Sequence, residues 1–202
     1  LHRHHAQLLS ERQRLDRLAE TVSATIQQIA AGEEPAPEQL FADITARRAG
    51  YLASLPKKRT AAGVLFTDAR GRVLLVDPMY TPYWQLPGGV ADADESPLSA
   101  ATRSVRRELA LPVEPRRLLV VDWVPPNPGR IEGLLFIYEG PSLSAQQIDS
   151  IVVPPMELRS WAWCTPAELP DRLPPHMLRR TEAALQASAD GATHYLEDGV
   201  AA

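Results

Sequence analysis

The chain is nearly devoid of cysteine. Cys164 is the single one in 202 residues, which excludes an intrachain disulfide and suits a reducing compartment, so a cytoplasmic location is expected. Flanked by Trp163 and Thr165 at an expected strand end, it reads as a buried structural thiol rather than a nucleophile. Long apolar runs are lacking too. No stretch is long enough to span a bilayer and no signal peptide is visible, so no membrane partner is expected. A large charge of either sign is also missing: the formal net charge of −4 offers no overall attraction to nucleic acid or to an anionic surface. What remains, 45% hydrophobic and 23% charged residues, is the composition of a globular protein with room for one ordinary domain and an extra element.

Glycine and proline are absent from residues 1–31, as in an uninterrupted helix. Leu1, Leu8, Leu15, Val22 and Ile29 recur every seven residues; of the positions between, Leu18 is apolar while His4, Glu11 and Thr25 are not. A seven-residue repeat marks a coiled-coil seam. Such a helix runs about 45 Å, longer than a compact domain needs to cover itself. Pairing with a second copy would bury the seam, and folding back onto its own domain is the alternative. His2, His4 and His5 have no acid or cysteine partner in the pattern and read as exposed. Gly32 and Pro35-Ala36-Pro37 end the helix, and a shorter one is expected over about 37–55, with Leu40, Phe41, Ile44, Tyr51, Leu52 and Leu55 on one side. The stretch from Leu8 to Phe41, LLSERQRLDRLAETVSATIQQIAAGEEPAPEQLF, resembles the long dimerisation helix and following short helix of MerR-family transcription regulators. The resemblance implies a homodimer through the N-terminal helix, with DNA contacted only by a domain absent from this chain. The chain starts at Leu1, which fits a fragment of something longer.

After the basic triplet Lys57-Lys58-Arg59, read as a solvated linker, short β-rich runs begin. AAGVLFTD, RVLLVD, RRLLVVDWV, EGLLFIYEG and SWAWC read as strands, the third and fourth joined by the proline-rich loop Pro125 to Arg130. Helices are expected from Pro166 to Leu173 and from about His176 to Asp190.

Between the second and third of these runs lies LPGGVADADESPLSAATRSVRRELAL, residues 86–111. Ser96 and Pro97 are a helix start, and Leu98, Ala101, Val105 and Leu109 fall on one apolar face. Positions 104, 107 and 108 share the neighbouring face. The segment resembles the Nudix box, in which a glycine, a glutamate and an arginine lead into a helix bearing further glutamates. Gly89, Glu95, Arg103, Val105, Glu108 and Leu111 match its positions, and Trp84 to Gly88 supply the context before it. Ser104 and Arg107 stand where the family has glutamates, and Ala110 where it has glycine.

The resemblance implies an α+β fold: a Nudix-type α/β/α sandwich with a mixed sheet over residues 58–190. The dimerisation helix (1–31) and a short helix with linker (32–57) precede it, and a C-terminal tail (191–202) follows. It also implies Glu108, Arg103 and Glu95 as catalytic residues, with Glu108 and Glu95 binding Mg²⁺ or Mn²⁺. A serine and an arginine beside one carboxylate make a poor site for a hard dication, which weakens that metal expectation. Arg107 would instead pair its planar fork with phosphate oxygens, or merely with a neighbouring acid. Gly88, Gly89, Ser104, Arg130 and Tyr83 complete the candidate ligand-binding set, Tyr80 and Trp84 being further candidates for stacking. Glu132, Glu139 and Glu157 are the candidate acids from outside the box. The favoured function is a dimeric sensor of a diphosphate-containing or nucleotide-like metabolite. The alternative is a divergent hydrolase of a nucleoside diphosphate-linked substrate.

Overall fold

The structure, a computed structural model, describes residues 48–202 and, before them, individual positions between Arg12 and Gly32. It divides into two compact units, Leu1–Pro56 and Lys57–Ala202. In the first, the described positions from Arg12 to Ala30 are helical, and so are residues 48–54. Leu15, Ile26, Tyr51, Leu52 and Leu55 are exposed. The remaining residues of the seven-residue repeat (Leu1, Leu8, Val22 and Ile29), the three histidines near the start, and Leu40, Phe41 and Ile44 lie outside the described residues. Among the described residues no helix is long and apolar enough to cross a membrane.

The second unit is built on a mixed six-stranded sheet. Its strands are β1 (Arg59–Leu65), β3 (Gly88–Val90), β4 (Leu118–Val124), β5 (Gly133–Glu139), β7 (His194–Glu197) and β8 (Val200–Ala201), in the order β3-β1-β5-β4-β7-β8. The β1–β5 and β4–β7 pairs are parallel and the others antiparallel. A second, antiparallel pair joins β2 (Val73–Pro78) to β6 (Leu158–Cys164). The helices are α1 (Pro97–Leu109), α2 (Ala145–Asp149), α3 (Leu169–Arg172) and α4 (Pro175–Asp190), with a 3₁₀ turn at Pro166–Glu168.

Strand alternation sends successive side chains of β1 to opposite faces. Ala62 and Val64 meet Ala101, Val105 and Leu109 of α1 in one core cluster. Leu65, with Val120, Ile137 and Leu196, meets Ala184 and Ala187 of α4 in the other. The architecture is therefore the α/β/α sandwich with a mixed sheet that the box resemblance implies. Cys164 is fully buried and unpaired, as a packing thiol.

Two local expectations are corrected. Leu98 is 42% exposed, because the buried face of α1 runs through Ala100, Ala101, Ser104, Val105, Glu108 and Leu109 and leaves it to one side. The segment 191–202 is not a loose tail but forms β7 and β8. Asp198 and Gly199 both take positive φ (52° and 77°) between those strands, the backbone of a tight two-residue hairpin, and Leu196 is buried beside β4. The short helix α2 is not among the elements expected from the sequence; it arises from a reciprocal cap between Ser144 and Gln147 that no apolar periodicity announces.

Candidate functional site

Helix α1 starts where its sequence says it must. The Ser96 hydroxyl accepts from the Ser99 N–H at 3.1 Å, and Pro97 occupies the first turn, where no N–H is needed. The helix ends at Ala110, whose φ of 56° is left-handed. That backbone favours glycine, which accounts for the family's glycine at this position.

The two glycines of β3 serve packing. A Cβ on Gly88 would strike the Ala62 carbonyl oxygen of β1, and one on Gly89 would lie 2.8 Å from the Ser104 Oγ of α1. Their missing side chains let strand and helix close together. This brings Glu108 under the strand: it is 2% exposed, and its Oε2 accepts from the Gly88 N–H at 2.9 Å. Burial pushes its carboxyl up to about 7, against the opposing pull of that hydrogen bond and of Arg107. Ser104 is wholly buried, and its Oγ has no hydrogen-bond partner.

Arg107 lies between two acids. Its guanidinium is 3.1 Å from Glu157 and 3.5 Å from Glu108. Of the three outside acids, the fold thus brings only Glu157 to the box helix. Glu132 instead bonds to Lys58 and the Trp123 indole, and Glu139 to Arg117 and Ser188. Glu95 and Arg103 are joined to each other by contacts of 2.8 and 2.6 Å, which hold the Glu95 carboxyl at about 2. Arg103 also reaches the Val90 carbonyl, so the pair braces the loop between β3 and α1.

A pocket of about 450 Å³ opens on the α4 side of the sheet beside Gly88 and Gly89, within the usual size range for small-molecule sites. Tyr80, Tyr83, Trp84 and Arg130 line it, together with Arg59, His176 and Arg180. Trp84 carries the Arg172 guanidinium 4.3 Å from its ring centroid, and the Tyr80 hydroxyl accepts from Gln85. Arg107, Ser104, Glu108, Glu95 and Arg103 are not among the lining residues. The pocket arginines apart from Arg130 are absent from the sequence reading. Arg59 passed as linker, although alternation along β1 puts it on the face of Ala61, Gly63 and Leu65. His176 and Arg180 stand one turn apart on α4, a spacing that equally suits a solvated face.

The divalent cation implied by the box resemblance does not fit these side chains. Among the described residues no group of three or more histidine, cysteine or acidic side chains converges on a point. Glu108 and Glu157 already flank a guanidinium that would repel a dication, and Glu95 is taken by Arg103.

Comparison with known proteins bears on the fold. Solved structures similar to this chain include a MutT protein from Methanosarcina mazei Go1 (17% identity, TM-score 0.54, covering 68% of this chain and 99% of that one). An ADP-ribose pyrophosphatase from Streptococcus suis 89-1591 is similar at 20% identity and TM-score 0.51, over 70% of this chain and 99% of that one. A UDP-X diphosphatase is similar at 14% identity and TM-score 0.57, over 90% of this chain and 85% of that one. No curated protein matches. A family model described as NUDIX domain matches residues 57–184, the span that contains the sheet core, the box helix and most of α4. The chain belongs to the NUDIX domain family.

Proposed function

We propose that this NUDIX-fold chain is a divergent hydrolase of a nucleoside diphosphate-linked compound. The observation that carries the reading is the meeting of Glu108 and Arg107 with the Gly88–Gly89 strand at the edge of the pocket. Hydrolysis of a diphosphate needs a group to take the proton of the attacking water and cations to balance phosphate charge. Glu108, held near 7, is poised between its two protonation states at neutral pH. Arg107 supplies a guanidinium fork that matches phosphate oxygens, once it exchanges Glu157 for the ligand. Two of the proteins with similar folds are named for cleaving diphosphates, the ADP-ribose pyrophosphatase and the UDP-X diphosphatase. The test is turnover of a panel of nucleoside diphosphate sugars and dinucleotides, with and without Mg²⁺ or Mn²⁺. Glu108→Gln is expected to lower it by about 10²–10⁴-fold, the range for a lost general base. Turnover that survives this change overturns the assignment of Glu108.

A second reading is favoured by one observation, the ion pair of Arg107 with Glu157, which satisfies the box helix without metal or substrate. In that reading the same pocket binds the metabolite without cleaving it. There the seven-residue repeat of residues 1–31 would pair two copies into a homodimer, the sensing part of a MerR-like regulator. Saturable binding of a panel member with no turnover supports the sensor. Turnover abolished by Glu108→Gln rejects it.

A further inference from the structure

The pocket on the α4 side is lined by Arg59, Arg130 and Arg180 and by no carboxylate. Arg180 is neutralised: it is almost fully buried, and its Nε lies 2.6 Å from the buried Asp122. His176, pushed below the ordinary histidine value by burial and by Arg180, adds no charge at neutral pH. Arg59 and Arg130 are different. Among the described residues no ion pair or side-chain hydrogen bond engages either guanidinium, and the Nε of each is buried without a partner. Burial and the positive charges of Arg130 and Arg180 push Arg59 below the ordinary guanidinium value.

The main chain is fixed at both positions. Arg59 begins β1, pairing in register with Gly133 of β5, and its N–H donates to the Glu132 carbonyl. Arg130 closes the loop between β4 and β5, where it and Asn127 exchange both main-chain hydrogen bonds at 3.0 Å. Two like charges lining one pocket, each with a buried Nε that lacks a partner, are unfavourable unless an anion joins them. Arg59 lies apart from the box helix, three residues along β1 from the Ala62–Gly89 pairing, about 10 Å, and on the sheet face opposite α1.

We infer that Arg59 and Arg130 form a second anion subsite, which takes a phosphate group of the ligand other than the diphosphate beside the box helix. The substrate class narrows to nucleotide-like compounds that carry a further phosphate. The inference rests on the pocket being the ligand site of the proposed hydrolase, but the subsite binds phosphate whether or not hydrolysis occurs.

The probe is inorganic phosphate, and the readouts are the thermal midpoint and calorimetric affinity of the full chain, against sodium chloride of equal ionic strength. Phosphate is expected to raise the midpoint of the unsubstituted chain. Arg59→Gln and Arg130→Gln should each weaken phosphate binding about tenfold or more, and the double variant should lose the midpoint rise. Arg70→Gln, which removes an exposed turn arginine, should keep it. In chloride alone each single variant should melt at or above the temperature of the unsubstituted chain, since it relieves a repulsion and breaks no bond. Equal gains from phosphate in the unsubstituted chain and the double variant overturn the subsite. So does a lower melting temperature of the single variants in chloride, which would mean the arginines are structural. Absence of turnover in the nucleotide panel, with the phosphate effect intact, removes the hydrolase reading and leaves the subsite standing.

Discussion

At Glu108 the penalty of burial outweighs three favourable contacts: the Gly88 N–H, the charge of Arg107 and its hydrogen bond all favour the ionised form, yet the carboxyl is pushed up to about 7. The folded chain therefore holds a proton there that the unfolded chain, titrating near 4.5, releases earlier. The sign follows: this group's contribution is most favourable below about pH 4.5 and is lost as pH rises through 7, a change of roughly 3 kcal/mol. Urea unfolding between pH 5 and pH 8 should show the loss, and Glu108→Gln should flatten it. Equal pH slopes for the two proteins would mean that Glu108 is ionised throughout. Ala110, where the box has glycine, is a departure with a consequence for the backbone. Its left-handed backbone strains an L side chain, so Ala110→Gly should stabilise the chain by about 1 kcal/mol in the same assay. A loss of stability would show that the strain is absent.

Between elements, the contact that assembles the candidate site is β3 against α1, and it turns on Gly89 and Ser104. The Ser104 Oγ is buried without a hydrogen-bond partner and lies 2.8 Å from where a Gly89 Cβ would stand. Gly89→Ala should destabilise the chain by about 1–3 kcal/mol through overpacking. Ser104→Ala alone should be neutral or mildly stabilising, because it removes an unsatisfied hydroxyl. Combined, the two should recover most of the loss, as the next Ser104 atom, Cβ, stands at 3.8 Å. Simple additivity in a double-mutant cycle would place the clash elsewhere. Sequence exposed part of this junction and hid part. Helical spacing put positions 104, 107 and 108 on one face, and they are neighbours there. It did not show that the face is buried at Ser104 and Glu108 but open at Arg107, because burial depends on how far β3 overlaps the helix. Nor did it single out Glu157, which arrives on the loop leading into β6, 49 residues after Glu108 in the chain.

For the molecule as a whole, the proposed homodimer is tested at Leu15, a residue of the seven-residue repeat that is 57% exposed in the single chain. The intact protein should sediment as a dimer at micromolar concentration, and Leu15→Lys should shift it toward monomer by putting charge in the seam. A monomer at tens of micromolar, well above a dissociation constant of about 1 μM, would end the proposal. The sequence by itself determined most elements of the second unit and the family: β-rich runs named β1, β2, β4, β5 and β6, Ser96-Pro97 named the helix start, and the glycine-to-arginine spacing named the box. These are local properties, set by side-chain period and backbone preference within a few residues of one another. Even the Asp198-Gly199 hairpin was there to be read, as a dipeptide suited to two positive φ angles. Only the tertiary structure decided which charges keep company: Arg107 with Glu157, Arg180 with Asp122, and Arg59 with Arg130 in one pocket wall. Those pairings join residues tens of positions apart, and their energies depend on burial and on distances of a few ångströms, neither of which a linear pattern carries.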